Sequence, residues 1–333
     1  MTQTIQDIAT ALVAPNKGIL AADESESTMQ KRFAPIGVEQ NVENDRRYRN
    51  LLFTAPGIEE CLSGVILHDE TIRQCADDGT PFPTLLAKRG IVPGIKVDQG
   101  LMLMPGSKVE EVSHGFEGFH DRLHEYYDLG ARFTKWRSVI HIGEGLPTQD
   151  AIDANAEVLA KYAALVQQHD MVPMVEPEVL FDGTHTLERS SEVLGDTLGA
   201  LFGALAMQGV DMRGLILKTS MALPGKDSGI ALVPADIARE TLAVLHDAVP
   251  TSVAGIVFLS GGQTSTQATE NLNAIAQLGT QSWSLTFSYS RAIEEPVLFV
   301  WKGDDVNIPS AQEMLLLQLT NNVSARNGTY VSA

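Results

Sequence analysis

Cysteine and basic residues are both scarce in this sequence of 333 residues. Its two cysteines, Cys61 and Cys75, form no CxxC pair and lie away from any histidine cluster at metal-ligand spacing. This pattern predicts free thiols in a reducing compartment. Lysine and arginine number 24 against 42 aspartate and glutamate residues, for a formal net charge of −18. Nucleic acids and anionic membranes both require a basic surface, so this acidity argues against either as a partner.

Long apolar runs are also missing. No segment approaches the roughly 18 to 20 apolar residues of a membrane span. The first residues show no basic start followed by an apolar stretch, so they do not match a signal peptide. Hydrophobic residues make up 44% and charged residues 20%, which is ordinary for a chain that buries a large core. We therefore expect a cytoplasmic protein.

Short apolar runs recur along the chain and predict eight buried strands. They lie at 18–23, 64–68, 93–98, 132–139, 171–178, 213–218, 254–260 and 283–289. Helical spacing of apolar residues occurs at 151–168, 191–208, 235–248, 266–278 and 310–323. Strands that alternate with helices predict a (β/α)8 TIM barrel, with 1–333 as one α/β domain that has a short N-terminal helix and a short C-terminal tail. The alternative is an open doubly wound sheet, but such sheets normally carry a glycine-rich nucleotide loop, and neither GxGxxG nor GxxxxGK[ST] occurs.

Polar side chains end seven of the eight predicted strands. They are Asp23 and Ser25, Lys96 and Asp98, Lys135 and Arg137, Glu176 and Glu178, Lys218, Ser260-Gly261-Gly262, and Arg291. Ligands of parallel barrels bind at the C-terminal ends of the strands. Residues two apart also share a strand face. Any one pair is explained as a solvated strand end, whereas seven together predict a common site.

Five of these residues suggest a reaction. Lys218 closes an apolar run, where a lysine is usually a surface residue with a buried stem. Its alternative role is a Schiff-base nucleophile, which must be a neutral amine, and burial beside a cation such as Lys135 favours that form. Glu176 and Glu178 are either ion-paired barrel carboxylates or a general acid and base. Asp23, if it points inward, can accept a proton from a substrate hydroxyl.

Two groups of residues suit anions. Ser260, Gly261 and Gly262 follow the seventh predicted strand and Arg291 follows the eighth, where phosphosugar barrels hold a phosphate. A second group lies early in the chain: Ser25, Thr28, Lys31, Arg32 and Lys96. Two anion sites on opposite rims suit a substrate phosphorylated at both ends.

Metal ligands are poorly represented. His120 and His124 are four apart on a predicted helix, but there is no HExxH motif and no third ligand nearby. His68, beside two acidic residues, is the other candidate. We expect neither a metal nor another cofactor.

Seven segments, in order along nearly the whole chain, resemble those of class I fructose-1,6-bisphosphate aldolases: KGILAADES (17–25), PGIKVDQG (93–100), FTKWR (133–137), MVEPEVL (174–180), LILK (215–218), FLSGGQ (258–263) and TFSYSRA (286–292). The resemblance implies a metal-free (β/α)8 barrel, a homo-oligomer (tetramer or dimer), and a lyase of glycolysis and gluconeogenesis. The reaction would be reversible cleavage of fructose 1,6-bisphosphate to dihydroxyacetone phosphate and glyceraldehyde 3-phosphate, with sedoheptulose 1,7-bisphosphate as a further substrate.

The resemblance also implies roles. Lys218 would form the Schiff base with the C2 carbonyl, Glu176 would shuttle protons with Lys135 and Glu178, and Asp23 would accept the C4 hydroxyl proton. The C1 phosphate would be held by Ser260, Gly261, Gly262 and Arg291. The C6 phosphate would face Ser25, Thr28, Lys31, Arg32 and Lys96, with Arg137 close by.

Three departures from the family pattern stand out. Glu26-Ser27-Thr28 replaces the usual TGS, Ser290 replaces a glycine, and Tyr330 is an internal position rather than the terminal tyrosine that protonates the enamine in the animal enzymes. Because a fold does not fix function, Ser290 leaves open an alternative, a catalytically weak phosphosugar-binding or scaffolding protein on the same barrel. A metal-dependent aldolase is a third reading, disfavoured by the absent histidine cluster.

Overall fold

The computed structural model describes residues 3–332; residues 1, 2 and 333, which the domain assignment to 1–333 includes, lie outside the described residues. Ten strands occur in the described part of the chain. They are β1 Gly18–Ala22, β2 Leu62–Leu67, β3 Val92–Lys96, β4 Leu101–Leu103, β5 Glu111–Ser113, β6 Phe133–Ile140, β7 Val172–Val179, β8 Ile216–Thr219, β9 Gly255–Phe258 and β10 Ser284–Tyr289.

Eight of these strands close a parallel barrel in the order β1-β10-β9-β8-β7-β6-β3-β2. Strand β1 pairs in parallel with both β2 and β10, so the barrel has no free edge. Each of the eight predicted runs overlaps one barrel strand, which confirms the barrel and excludes the open sheet. The run 213–218 is only half strand, because Met212–Gly214 forms a 3-10 turn whose N-cap is Asp211. Strands β4 and β5 form a separate antiparallel hairpin.

Thirteen α-helices occur within residues 3–332. They are α1 Ile5–Leu12, α2 Glu26–Phe33, α3 Val42–Thr54, α4 Ile58–Cys61, α5 Asp69–Ile72, α6 Phe82–Lys88, α7 Phe119–Asp128, α8 Gln149–Gln167, α9 Leu187–Met207, α10 Pro234–Ala248, α11 Ser265–Gln277, α12 Arg291–Trp301 and α13 Ile308–Arg326. Threonine side chains at Thr148, Thr186 and Thr264 accept a backbone N–H and so fix the starts of α8, α9 and α11. None of the helices in this part of the chain combines the length and apolar character that a membrane crossing demands.

Apolar side chains fill the lower half of the barrel, at the N-terminal ends of the strands. Helix α1 closes that end, where Ile8 and Leu12 pack against inward-facing strand residues such as Phe133. The Phe133 ring occupies space that a side chain on Gly94 would need, since a Cβ there would lie 2.3 Å from the ring. The filled lower half leaves the C-terminal ends of the strands as the open end of the barrel.

Candidate active site

The inward positions of the strands change from apolar to charged at one level. The apolar layer contains Ile19, Ala21, Phe133, Val172, Met174, Ile216 and Val257. Two residues further along four of these strands lie Asp23, Lys135, Glu176 and Lys218. Because side chains alternate across a strand, the same periodicity that buries the apolar layer turns these four side chains into the barrel.

These four residues, called here the central charge cluster, are linked by three ion pairs. The Lys218 Nζ lies 3.2 Å from Glu176 Oε1. The Lys135 Nζ lies 2.9 Å from Glu176 Oε2 and 2.9 Å from Asp23 Oδ2. The exposed fractions are 4% for Lys135, Glu176 and Lys218 and 8% for Asp23. Burial of four such groups is tolerable because two lysines face two carboxylates.

The electrostatic environment keeps the carboxylates ionised. Burial alone would raise the pKa of Asp23, but the positive charges of Lys135 and Lys218 outweigh burial and hold that pKa well below its ordinary value. Burial is outweighed by the same two lysines at Glu176, whose pKa is also lowered. Conversely, burial would lower the pKa of Lys135, but Asp23 and Glu176 raise it. At neutral pH the cluster therefore offers two proton acceptors and a fixed cation.

One oxygen of Glu176 is available for chemistry. Although Lys135 Nζ is 2.9 Å from Glu176 Oε2, the ammonium does not lie along a hydrogen-bonding direction. Among the described residues this buried oxygen accepts no hydrogen bond. A buried carboxylate beside the Lys218 nitrogen can accept and return protons during addition to a carbonyl.

Glu178 lies in a different environment. Its Oε2 accepts a hydrogen bond from Arg137 Nε, and within residues 3–332 it forms no ion pair with Lys218. Lys96 is likewise held by a neighbour, with Nζ 3.0 Å from Asp98 Oδ1. Glu178 therefore lies at the wall of the site, where it pairs with Arg137, and it is not part of the central charge cluster.

A cavity of about 620 Å³ opens above the cluster. All of the predicted catalytic and binding residues line it. The catalytic candidates are Asp23, Lys135, Glu176, Glu178 and Lys218, and the binding candidates are Ser25, Thr28, Lys31, Arg32, Lys96, Arg137, Ser260, Gly261, Gly262 and Arg291. This shared location does not by itself assign their roles.

The loop after β9 has the backbone of an anion site. Gly261 and Gly262 have φ angles of 42° and 89°, which disfavour other residues. Their N–H groups donate to no other group in the described part of the chain. A Cβ on Gly262 would lie 3.6 Å from Arg291 Nη2, so this guanidinium adjoins the loop. Two consecutive free N–H groups beside an arginine suit a phosphate.

The opposite rim differs from the sequence expectation. Arg32 does face the cavity, but its Nη2 donates to Ser290 Oγ at 2.8 Å and its Nη1 contacts both Glu24 and Glu294. By contrast, neither Lys31 nor Arg291 forms an ion pair within residues 3–332. Sequence reasoning did not identify Glu294, because nothing local distinguishes it from the other carboxylates of the chain.

The candidate metal ligands are dispersed. His120 Nδ1 lies 2.9 Å from His169 Nε2 on the surface, and His124 pairs with Asp128. His68 is outside the residues that line the cavity. Within the described residues, no three His, Cys, Asp or Glu side chains are grouped to hold a metal ion.

The family model described as fructose-bisphosphate aldolase class-I matches residues 4–333. A probable fructose-bisphosphate aldolase class 1 of Xanthomonas campestris pv. campestris is 47% identical over 329 residues, covering 98% of each chain. Fructose-bisphosphate aldolase 6, cytosolic, of Arabidopsis thaliana is 47% identical over 95% of this chain and 88% of its own.

A solved structure gives the same picture. The fructose-bisphosphate aldolase of Plasmodium falciparum, solved in complex with TRAP and a small-molecule inhibitor, superimposes with a TM-score of 0.97 at 42% identity. The match covers 99% of this chain and 95% of that one.

Proposed function

This chain belongs to the class I fructose-bisphosphate aldolase family, and we propose that its Lys218 forms the Schiff base of the reaction. The enzyme is a lyase that cleaves fructose 1,6-bisphosphate reversibly to dihydroxyacetone phosphate and glyceraldehyde 3-phosphate. The observation that carries the assignment is the position of Lys218. Its Nζ is buried at the level where the barrel opens, 3.2 Å from a carboxylate and beside a second lysine.

Proton balance assigns a part to Glu176. Between the ammonium and the iminium, the Lys218 nitrogen loses two protons while the C2–O bond breaks, and both protons leave in the departing water. A base that accepts and returns protons must therefore adjoin this nitrogen. Glu176 meets that requirement, and Lys135 can donate a hydrogen bond to the hydroxyl of the carbinolamine.

Asp23 is the proposed acceptor of the C4 hydroxyl proton. As that proton leaves, the C3–C4 bond breaks, the aldehyde is released and the electron pair neutralises the iminium as an enamine. The lowered pKa of Asp23, which burial opposes and Lys135 causes, makes it a weak base in the empty site. Substrate hydroxyls that take over the Lys135 hydrogen bond would make Asp23 a stronger base. Glu178, held by Arg137, is proposed to assist by positioning Arg137.

The two rims are proposed to hold the two phosphates. The C1 phosphate would lie on the free N–H groups of Gly261 and Gly262, with Ser260 and Arg291. The C6 phosphate would face the second rim, whose members are Ser25, Thr28, Lys31, Arg32, Lys96 and Arg137. Activity on sedoheptulose 1,7-bisphosphate is proposed on the same grounds, since it too carries a phosphate at each end.

A cytoplasmic location and a homo-oligomeric state, tetramer or dimer, are part of the same proposal. The location is supported by the Arabidopsis relative, which is named cytosolic. Light scattering coupled to size exclusion measures the mass of the assembly, and a monomer at micromolar concentration would contradict the oligomer.

Borohydride trapping tests the proposed chemistry. We expect that incubation with dihydroxyacetone phosphate followed by reduction gives a covalent adduct on Lys218, located by mass spectrometry of the digest. K218M should retain the wild-type circular dichroism spectrum but lose both the adduct and the cleavage activity. K226M is the matched control, because Lys226 is a surface residue paired with Asp182.

Two outcomes would contradict this assignment. An adduct on another lysine would move the nucleophile elsewhere in the cavity. A protein that binds the sugar phosphate without forming any adduct would be a phosphosugar-binding or scaffolding protein on this barrel.

A further inference from the structure

A second group of buried charges lies beside the cavity. We call it the arginine cluster: Glu24, Arg32, Arg49 and Glu294, joined by the Ser290 hydroxyl. Glu294 is 0% exposed and Arg49 is 1% exposed. Arg49 Nη2 lies 2.6 Å from Glu24 Oε2, and Arg49 Nη1 lies 3.5 Å from Glu294 Oε2. The cluster reaches the cavity through Glu24 and Arg32, both of which line it.

The two carboxyl groups of this cluster are close neighbours. A single nitrogen, Arg32 Nη1, contacts Glu24 Oε1 and lies 3.2 Å from Glu294 Oε2. Both carboxyl groups therefore converge on one guanidinium nitrogen in a buried site. Like charges this close in a buried site oppose ionisation of both groups.

The donors around each carboxyl group decide which one carries the proton. Glu24 accepts hydrogen bonds from Arg32, Arg49 and Ser290. Donors of this kind favour an ionised carboxylate. Glu294, by contrast, accepts one hydrogen bond from a side chain, from Arg32 Nη1 to its Oε2, and its Oε1 has no hydrogen-bond partner among the described residues. Burial, and next Glu24, raise the pKa of Glu294 well above its ordinary value. At Glu24 burial is outweighed by the two arginines, so that its pKa is lowered.

We propose that Glu294 is a positioning residue that acts as a neutral, protonated carboxylic acid and so leaves one uncompensated positive charge on the arginine cluster. With Glu294 neutral, two guanidinium groups face the single carboxylate of Glu24. With Glu294 ionised, the cluster would have no net charge. The excess charge is carried at the cavity wall by Arg32, where it attracts the phosphate distal to the cleaved carbonyl. Only this identification of the anion rests on the proposed function.

The charged and polar side chains that contact Glu294 or its partners come from three other parts of the chain. Helix α2 contributes Arg32, and α3 contributes Arg49 together with Tyr48, whose hydroxyl donates to the Glu294 backbone carbonyl at 3.2 Å. The segment before α2 contributes Glu24. Ser290 lies one turn before Glu294, and its hydroxyl donates to Glu24 and accepts from Arg32. Ser290 therefore fixes the orientation of Arg32, while Glu294 sets the charge that Arg32 presents.

Infrared difference spectroscopy of the substrate-free enzyme tests the protonation state directly. We expect wild type to show the C=O stretching band of a protonated carboxyl group at neutral pH, and E294Q to lack it. The control is E313Q, the same chemical change at an exposed site on α13, which should keep the band. If the spectra of wild type and E294Q show no difference in this band, Glu294 is ionised and the proposal is wrong.

Kinetics on two substrates test the consequence for binding. Fructose 1,6-bisphosphate carries the distal phosphate and fructose 1-phosphate does not. E294L removes the acceptor of Arg32 Nη1 and the ion-pair partner of Arg49 Nη1, and we expect KM for the bisphosphate to rise about tenfold. Because the amide of E294Q is neutral and its oxygen can still accept from Arg32, we expect E294Q to restore this KM to within about twofold of wild type. Neither variant should change KM for the monophosphate by more than about twofold.

The outcomes separate this proposal from the proposed function. A bisphosphate KM that falls severalfold in E294Q would mean that a negative charge had been removed, and would overturn the proposal. Equal effects on both substrates would do the same, because the charge would then not act on the distal phosphate. If wild type cleaved neither substrate, the proposed function would fail, while the infrared band would still report on Glu294. If E294L does not fold, the kinetics of E294Q and the infrared spectra still decide whether the proposal is correct.

Discussion

Replacement of Lys135 by methionine removes the positive charge at the centre of the site while it keeps most of the buried stem. Two contacts of 2.9 Å are lost, to Asp23 and Glu176. A pair of unit charges about 4 Å apart is worth about 4 kcal/mol at an effective dielectric constant near 20, before the cost of burying the ions. Breaking a buried ion pair on one side destabilises proteins by about 3–5 kcal/mol. We expect K135M to lose a free energy of unfolding in this range at neutral pH.

The pH dependence of this loss has a definite sign. In the wild type the pKa values of Asp23 and Glu176 are lowered in spite of burial, chiefly by Lys135. Their contribution to stability is therefore complete above the pKa values of the unfolded chain, near about 4, and disappears as the pH falls through the folded values. K135M lacks the part of that contribution that Lys135 supplies, at any pH. The difference between K135M and wild type should thus be largest near pH 7 and shrink towards about pH 3.

Urea unfolding followed by tryptophan fluorescence at several pH values measures this difference. K226M is the matched control, since the exposed pair of Lys226 with Asp182 should contribute no measurable stability at any of these pH values. A loss below about 1 kcal/mol at neutral pH would refute the role of Lys135 as the balancing charge. A loss that stays constant down to acid pH would show that packing of the side chain, and not its charge, is responsible.

Three further perturbations follow from the geometry. R291A should raise KM for fructose 1,6-bisphosphate about 10- to 100-fold. The urea midpoint should change little, because Arg291 forms no ion pair within the described residues. The control is R239A, on the surface of α10, and an unchanged KM in R291A would remove Arg291 from the phosphate site. EDTA should leave steady-state cleavage unchanged, whereas a loss that Zn²⁺ or Mg²⁺ restores would contradict a lysine mechanism without metal. G94A should destabilise the fold by about 1–3 kcal/mol in urea titrations, because its Cβ would lie 2.3 Å from the Phe133 ring; an unchanged midpoint would show that the ring can move aside.

Much of the fold could be predicted because its signals are local. Each barrel strand overlaps a short, mainly apolar run, and the helices α8, α9 and α11 begin at threonine caps. The hairpin of β4 and β5 could not be predicted in this way. Met102 and Leu103 are 50% and 56% exposed, so apolar residues there mark no buried strand, and the pairing with 111–113 crosses a polar loop.

The site shows the same division between local and distant information. Strand periodicity alone brings Lys135 and Glu176 to the same level as Lys218, so their convergence could be predicted from spacing. The partners of Arg32 could not. Glu24 is eight residues away, but Glu294 is separated from Arg32 by 262 residues and lies on a helix whose local sequence gives no sign of the contact. Ion pairs of this kind depend on how three helices pack around the barrel, which no window of sequence contains.

The distribution of charge explains how so acidic a chain can bind a phosphorylated sugar. Seven basic residues line the cavity against six carboxylates, Asp23, Glu24, Asp98, Glu176, Glu178 and Glu295. Full ionisation therefore leaves an excess of one positive charge, in a chain whose net charge is −18. Most of the cavity's cations are paired, and within the described residues Lys31 and Arg291 form no ion pair. We therefore propose that attraction for the substrate depends on Lys31, Arg291 and the arginine cluster, while the balanced charges around Lys218 leave the centre of the cavity to proton transfer.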